Sequence, residues 1–247
     1  MSFKPKFSII LPTFNREKKI KAAIISVLNQ SYEDFELLII DDERTTDNTK
    51  EVVESFEDSR IRYFVHGESV SEARNYGLNK SEGEIIAFID SDDIWLEDCL
   101  EKRQEAHRKQ DFVASFFEKV DVNGKETSVE KHAYRGESFV KSLLRGHTVP
   151  PSAVSFRKKV LSSVEGFDEQ LELWEDSDMW LRLAYEVGEP YVIRKPLLKY
   201  FVHRKSVSKQ PEPEKFKKNL ERFVHKHEEK LKEHGIYKER VQEIKNV

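Results

Sequence analysis

Along the first hundred positions, short apolar runs at residues 7–11, 35–40, 61–64 and 85–89 alternate with stretches patterned at helical spacing. Strand-length runs separated by helices predict βαβ units and a parallel sheet. Between the first two runs, Ile20, Ala23, Ile24, Val27 and Leu28 recur at helical intervals and form one apolar stripe facing that sheet. A second helix is predicted from Asp47 or Asn48, whose side chains suit an N-cap, to about Phe56. A third starts near Ser71 with Arg74 in its first turn, and a fourth covers residues 96–110.

Beyond residue 110 the alternation loosens. A strand is predicted over 112–122, with Asn123-Gly124 as a hairpin turn. Short helices follow at 138–145 and 158–163, with a strand at 152–156 between them after the Pro150-Pro151 break. Residues 175–187 read as a helix opening on acids that its N-terminal dipole favours, and 197–203 as a strand. From Pro211 the chain turns helical, with Phe216, Leu220, Phe223, His227 and Leu231 at steps of three and four. The predicted organisation is one α/β domain over 1–208, with a regularly wound part reaching about 110 and a less regular remainder, followed by a helical extension over 209–247.

Composition narrows the function. A 247-residue chain that is 38% hydrophobic can bury a full core, although 36% of it is charged. Acids and bases nearly balance at a net charge of −4, so there is no basic field to draw nucleic acid. The single cysteine, Cys99, excludes an intrachain disulfide framework and a cysteine-based zinc site; it reads as a buried, inert thiol in a reducing compartment. Residues 1–6 are polar, and no apolar run approaches 18 residues, so a cytoplasmic location is expected.

In open parallel sheets, ligands bind beyond the carboxyl ends of the strands. There the first strand delivers Pro12, Thr13, Asn15 and Arg16, the second Asp41 and Asp42, and the fourth Asp90, Ser91, Asp92 and Asp93, with Arg74 following the third. If the backbone stays extended, Asp90 and Asp92 point to one side, where both can approach a hard cation. Magnesium or manganese there would bridge a diphosphate and neutralise charge developing on it as it departs.

The segments FSIILPTFNR, ELLIIDDERTTDNT, SEARNYGLNKSEGEIIAFIDSDD, GFDEQLELWEDSDMWLRLA and FVHRKSVS occur in this order. Together they resemble the family 2 inverting glycosyltransferases of the GT-A fold, over about residues 5–208. The resemblance implies a Rossmann-like, mostly parallel sheet flanked by helices. It implies a donor that is a nucleotide-diphosphate sugar, with UDP expected, and an acceptor hydroxyl on a glycan, a lipid-linked molecule or another compound. Thr13, Asn15, Arg16, Asp41 or Asp42, and Arg74 would form the nucleotide pocket, with Pro12 and Ser91 at its border. Asp42 would lie near the base or ribose, Arg74 near the base, Asp90 near the ribose and Asp92 on the metal. A histidine at the position of His203 would stand beside the diphosphate as a second metal ligand, for which neutral imidazole is suited.

Displacement at the anomeric carbon also needs a base for the acceptor proton. The helix N-terminus makes an ionised carboxylate there, and Asp176 is the candidate base, with Glu175 and Asp178 its neighbours in sequence. Glu175, Trp174 and Arg204 are expected to line or support the acceptor side. Trp180, among Met179, Leu183 and Ala184, reads as core, while Trp95 is open to either use.

Two loops depart from the family pattern. Glu43-Arg44-Thr45-Thr46 replaces a small residue and serine and is one residue longer, beside the base pocket. The loop of residues 66–71 lacks a glycine often found near its serines. A nucleotidyltransferase would carry a glycine- and lysine-rich phosphate loop near the N-terminus, and residues 12–18 contain no glycine. A non-catalytic scaffold whose C-terminal helices recruit a partner is the other alternative, against which stand both Asp92 and Asp176. The charged C-terminal helices leave room for a peripheral membrane contact, with a solvated helix face as the simpler reading.

Overall fold

The computed structural model describes residues 5–121, 126–130, 137–202 and 212–246. Strand β1 (Phe7–Thr13) is buried along its whole length and lies between β2 (Phe35–Asp41) and β4 (Ile85–Phe88), parallel to both. β3 (Ile61–Val65) extends the parallel side beyond β2. Helix α1 (Ile20–Leu28) buries the predicted stripe at Ile20, Ala23, Ile24 and Val27. The short α2 (Thr49–Glu54) follows β2, and α3 (Val70–Lys80) packs on β1 and β2, its N-terminus capped by the Ser69 hydroxyl. Thr13 pairs in register with Asp41, and Asp41 with Val65, so these strands end at one level.

The second half of the sheet is mixed. β8 (Val154–Arg157) runs antiparallel to β4, β6 (Phe112–Val120) antiparallel to β8, and β9 (Tyr191–Phe201) parallel to β6. β5 (Ile94–Trp95) closes the order β3-β2-β1-β4-β8-β6-β9-β5, and β7 (Glu126–Glu130) pairs antiparallel with β6. Parallel winding therefore holds for β1 to β4, as the alternation predicts, and then gives way. The predicted turn at Asn123-Gly124 lies outside the described residues.

Three boundaries differ from the apolar pattern. The predicted 96–110 helix is preceded by β5 and narrows to α4 (Cys99–Ala106), because Gln30 takes up the Leu96 carbonyl and the Leu100 N–H. β9 begins six residues before the apolar run at 197, since pairing with β6 rather than burial defines its first half. Its register shifts beside Pro196, which has no N–H to donate. The segment predicted as a helix at 158–163 is a single 3-10 stretch, Lys158–Ser162.

α5 (Phe139–Leu144) and α6 (Glu175–Val187) cover the mixed half, where Trp180 is fully buried and donates its indole N–H to the Val149 carbonyl. The C-terminal segment folds as α7 (Pro213–Lys226), α8 (Glu228–Glu233) and α9 (Tyr237–Lys245). Leu220, Phe223 and Leu231 from these helices, with Ile236 just before α9, join the same core cluster as β1. Cys99 is buried and its thiol is pushed up to about 11, as an inert core cysteine requires. Among the described residues no helix is long and apolar enough to cross a membrane.

At the end of the sheet away from the loops of interest, a turn brings Gly83 against β1. A Cβ there would lie 2.6 Å from the Ser8 nitrogen and 2.7 Å from the Phe7 carbonyl carbon. Those nearest atoms are backbone of the central strand β1, which cannot give way as the end of a flexible side chain could. Gly83→Ala is therefore expected to destabilise the fold by about 1–3 kcal/mol through overpacking, read as a lower urea midpoint.

Candidate active site

Beyond the carboxyl ends of β1 and β2, two loops are sewn together. Asn15 adopts a left-handed φ of 50°, and its side-chain oxygen accepts the Thr46 N–H at 2.9 Å. The Arg16 N–H donates to Thr49 Oγ1 at 2.8 Å, and the Glu17 N–H to Asp47 Oδ2 at 3.0 Å. The Asn15 side chain thus shapes the loop, and the Arg16 head group is what the loop presents. Thr13 Oγ1 and Arg16 Nε are buried without a hydrogen-bond partner. A buried donor left unpaired is costly, and an acceptor brought to this end of the sheet would relieve that cost.

The two acids after β2 are both engaged. Asp41 accepts from Thr45 Oγ1 and from the Tyr63 hydroxyl, each at 2.6 Å, while burial raises its pKa. Asp42 is gripped by Arg44, whose Nε and Nη2 donate at 2.8 and 2.7 Å, and these bonds hold its carboxyl below the usual range. The Arg44 guanidinium lies over the exposed Phe14 ring at 5.3 Å and also donates to the Glu68 carbonyl. The longer loop therefore places a cation on the acid expected near the base.

After β4, residues 90–93 turn rather than extend, with the Asp93 N–H donating to the Asp90 carbonyl at 3.0 Å. Alternation along an extended strand is thus the wrong reason for grouping Asp90 with Asp92. The turn brings their charges together by another route: burial raises Asp90, the Arg74 charge lowers it, and the Asp92 charge raises it. Lys19 stands 3.7 Å from Asp92. Pro12 and Ser91 are buried behind this rim.

Asp93, named at the strand end but given no role by the sequence, is fully buried; burial, then the Asp90 charge, pushes its carboxyl well up. It accepts from Ser152 Oγ at 2.6 Å and from the Phe201 N–H at 3.2 Å, while Ser152 Oγ also accepts the Asp90 N–H at 2.9 Å. Asp93 and Ser152 thereby bind the acidic turn to the end of β9. The run of three aspartates was visible in the sequence, but a contact across 59 residues was not. Trp95 belongs to the same support: it is buried and donates to the Ser152 carbonyl at 3.1 Å, which settles it as packing.

Arg74 joins the halves of the rim. Its guanidinium is 3.0 Å from Asp90 Oδ1 and 3.0 Å from Glu175 Oε1, and its side chain is only 4% exposed. Helix α3 begins at Val70, so Arg74 lies in the second turn rather than the first. Its Nε is another buried donor without a hydrogen-bond partner. Glu175 opens α6, and Asp176 follows, accepting from the Ser177 N–H at 2.6 Å and from Ser177 Oγ at 3.2 Å. Burial, then the Glu175 charge, pushes Asp176 up to about 7 against the pull of Arg74 and Ser177. The helix dipole alone predicted full ionisation, and burial beside another acid overrides it. Asp178 points elsewhere: fully buried, it pairs with Arg182 at 2.7 Å and His227 at 3.1 Å, which hold it well below the usual range.

Trp174 packs against Phe216 and Phe223. His203 and Arg204 lie outside the described residues, so the second expected metal ligand and one acceptor-side residue have no placement. Among the described residues no group of three or more His, Cys, Asp or Glu side chains is arranged to hold a metal by itself. Magnesium is typically held by one or two carboxylates and completes its shell with phosphate oxygens and water. The part-exposed carboxylates of Asp90 and Asp92 fit that demand as oxygen donors.

An open α/β sheet whose parallel strands end at one level, with an acidic turn beyond β4 and a mixed second half, is the arrangement of the GT-A fold. A family model described as Glycosyl transferase family 2 matches residues 8–164, and the chain belongs to that family. An uncharacterised glycosyltransferase of Rickettsia bellii is 31% identical over 183 residues, 72% of this chain and 26% of that protein. The Escherichia coli protein WfgD, named UDP-Glc:alpha-D-GlcNAc-diphosphoundecaprenol beta-1,3-glucosyltransferase, is 46% identical over 96 residues, 38% of each chain. The chain thus spans about a quarter to two fifths of the length of these relatives. The fold of S. aureus TarS, crystallised with UDP-GlcNAc, superposes with a TM-score of 0.73 at 22% identity, covering 90% of this chain and 66% of that one.

Asp176 gives a signed pH dependence. A carboxyl raised in the folded state stabilises the fold fully below its unfolded pKa near 3.8, and that contribution is lost as pH rises through about 7. Asp176→Asn does not titrate. The melting midpoint of Asp176→Asn minus that of the parent is therefore expected to increase from pH 5 to pH 8, as measured by differential scanning calorimetry.

Proposed function

We propose that this family 2 member transfers a sugar from a nucleoside-diphosphate sugar to an acceptor hydroxyl, with inversion at the anomeric carbon. The carrying observation is the Arg74 bridge, which sets the acidic turn of Asp90 and Asp92 and the acid pair Glu175–Asp176 on one rim. Thr13 Oγ1, Arg16 Nε and Arg74 Nε supply donors for the nucleotide. Asp90 receives the ribose, and Asp92 is the carboxylate that would hold magnesium or manganese together with the diphosphate. When bound, the metal supplies positive charge to the departing diphosphate oxygen.

Asp176 accepts the acceptor's hydroxyl proton as the acceptor oxygen bonds to the anomeric carbon and the bond from that carbon to the diphosphate oxygen breaks. A carboxylate with a pKa near 7 suits a general base working at neutral pH, because it is partly ionised yet strongly basic for its type. A neighbouring acid and burial supply that basicity, and Arg74 keeps the pair from repelling each other out of place.

For the donor, WfgD's UDP-glucose supports a UDP sugar, although its match covers only 96 residues. Arg44 on Asp42 is this chain's own variation at the base end. The same relative supports a lipid-linked or other glycan acceptor, in the context of polysaccharide or glycoconjugate synthesis.

Two substitutions separate the roles. Asp92→Ala is expected to remove the manganese-dependent part of UDP binding in calorimetric titration. Asp176→Asn is expected to leave UDP binding within about twofold while lowering turnover by about 100-fold or more, the usual worth of a general base. Manganese-dependent binding that survives Asp92→Ala, or turnover that survives Asp176→Asn, contradicts the corresponding assignment.

A further inference from the structure

The turn that delivers Glu175 and Asp176 is held from behind by the C-terminal helices. Trp174, the residue before α6, is in the left-handed region at φ 61° and ψ 20°, a conformation that a bulky side chain keeps only when its surroundings impose it. Two contacts impose it. Asn219 on α7 is 3% exposed, and its Oδ1 accepts both the Glu172 N–H at 2.8 Å and the Leu173 N–H at 3.1 Å. Its Nδ2 donates to the Lys215 carbonyl at 2.9 Å, which fixes the amide's orientation. The Trp174 ring meets the Phe216 ring edge-on at 5.2 Å and the Phe223 ring at 6.1 Å, with the Arg240 guanidinium 5.5 Å from it.

On the other side of Asp176, Asp178 pairs with Lys226 at 2.9 Å and His227 at 3.1 Å. Asp168 in the preceding loop pairs with Arg222 and Lys226, each at 3.0 Å. The helices therefore grip the backbone before Asp176 and the helix after it. None of these partners touches the nucleotide end of the rim, and the family match ends at residue 164, before both the turn and the helices.

We propose that the C-terminal helices are the positioning element for the base: Asn219, with Phe216, clamps the 172–174 turn so that Asp176 faces the acceptor. This rests on the reading of Asp176 as the base. Reaction geometry is steep in distance, and a misplacement of about 1 Å can cost on the order of 100-fold in rate.

The test measures UDP or GDP release with manganese and water as acceptor, using whichever of UDP-glucose, UDP-galactose, UDP-GlcNAc and GDP-mannose the parent protein turns over fastest. Asn219→Ala is expected to lower kcat by about tenfold or more, while KM for the sugar nucleotide and the calorimetric affinity for its nucleoside diphosphate stay within about twofold. Asn219→Asp keeps the accepting oxygen while giving up the bond to the Lys215 carbonyl, and is expected to recover kcat by about threefold or more over Asn219→Ala. Phe216→Ala, at a half-buried position, is expected to repeat the loss in kcat alone and serves if Asn219→Ala does not fold.

The proposal is overturned if Asn219→Ala keeps the parent kcat. It is equally overturned if kcat, nucleotide affinity and melting midpoint fall together in the folded variants without recovery in Asn219→Asp. Asp176→Asn is assayed alongside: undiminished turnover there overturns the base reading and this proposal together, whereas its loss with an unaffected Asn219→Ala overturns the positioning alone.

Discussion

A single buried guanidinium holds the two ends of the candidate site together. Arg74 is almost wholly removed from water, where a cation is tolerable only beside compensating charge, and Asp90 and Glu175 supply it from points 16 and 101 residues away. Burial alone would lower the Arg74 pKa; the charges of Asp90, Glu175 and Asp176 raise it above its ordinary value. The dependence is mutual, since Asp90 and Asp176 are both pulled down by the same cation against burial that pushes them up. Without it, Asp90, Glu175 and Asp176 would lose the cation that offsets their burial together.

The sheet explains why the rim exists. Parallel strands β1, β2 and β4 all end on one side, so the residues after them meet without any one loop having to reach far. The mixed half, β8, β6 and β9, then returns Ser152 and Phe201 to the back of the acidic turn, where both bond Asp93. α6 enters from that half with its N-terminus toward the rim, and the C-terminal helices brace it. The nucleotide end and the candidate base are thus held by different parts of the chain, joined through Arg74.

Much of this was legible from residue pattern. The four parallel strands, the stripe on α1, the acids at strand ends and the acid-opened α6 follow from periods of two and 3.6 and from strand-end logic. The family match over residues 8–164 takes in the first three of the five spaced segments, and the last two lie beyond it. What stayed hidden depended on contacts distant in sequence. β5 has two residues and is defined by pairing with β9, and β9's first half is marked by register rather than by apolarity. Asp93 received no role because its partners Ser152 and Phe201 lie 59 and 108 residues away. The protonation of Asp176 was misjudged since a dipole can be read from sequence and burial beside Glu175 cannot. The C-terminal helices read as an extension after residue 208, and the positions where they join the main core, Leu220 and Phe223, are given by tertiary contacts.

The central claim is spatial: the nucleoside diphosphate with its cation and the acid at the start of α6 share one cavity, spanned by Arg74. Diffraction from crystals soaked with manganese and UDP tests it most directly. The account predicts an anomalous manganese peak beside Asp92, with the diphosphate on the same side of the sheet as Asp176. A nucleotide bound away from Asp92, or on the face opposite Asp176, would contradict it.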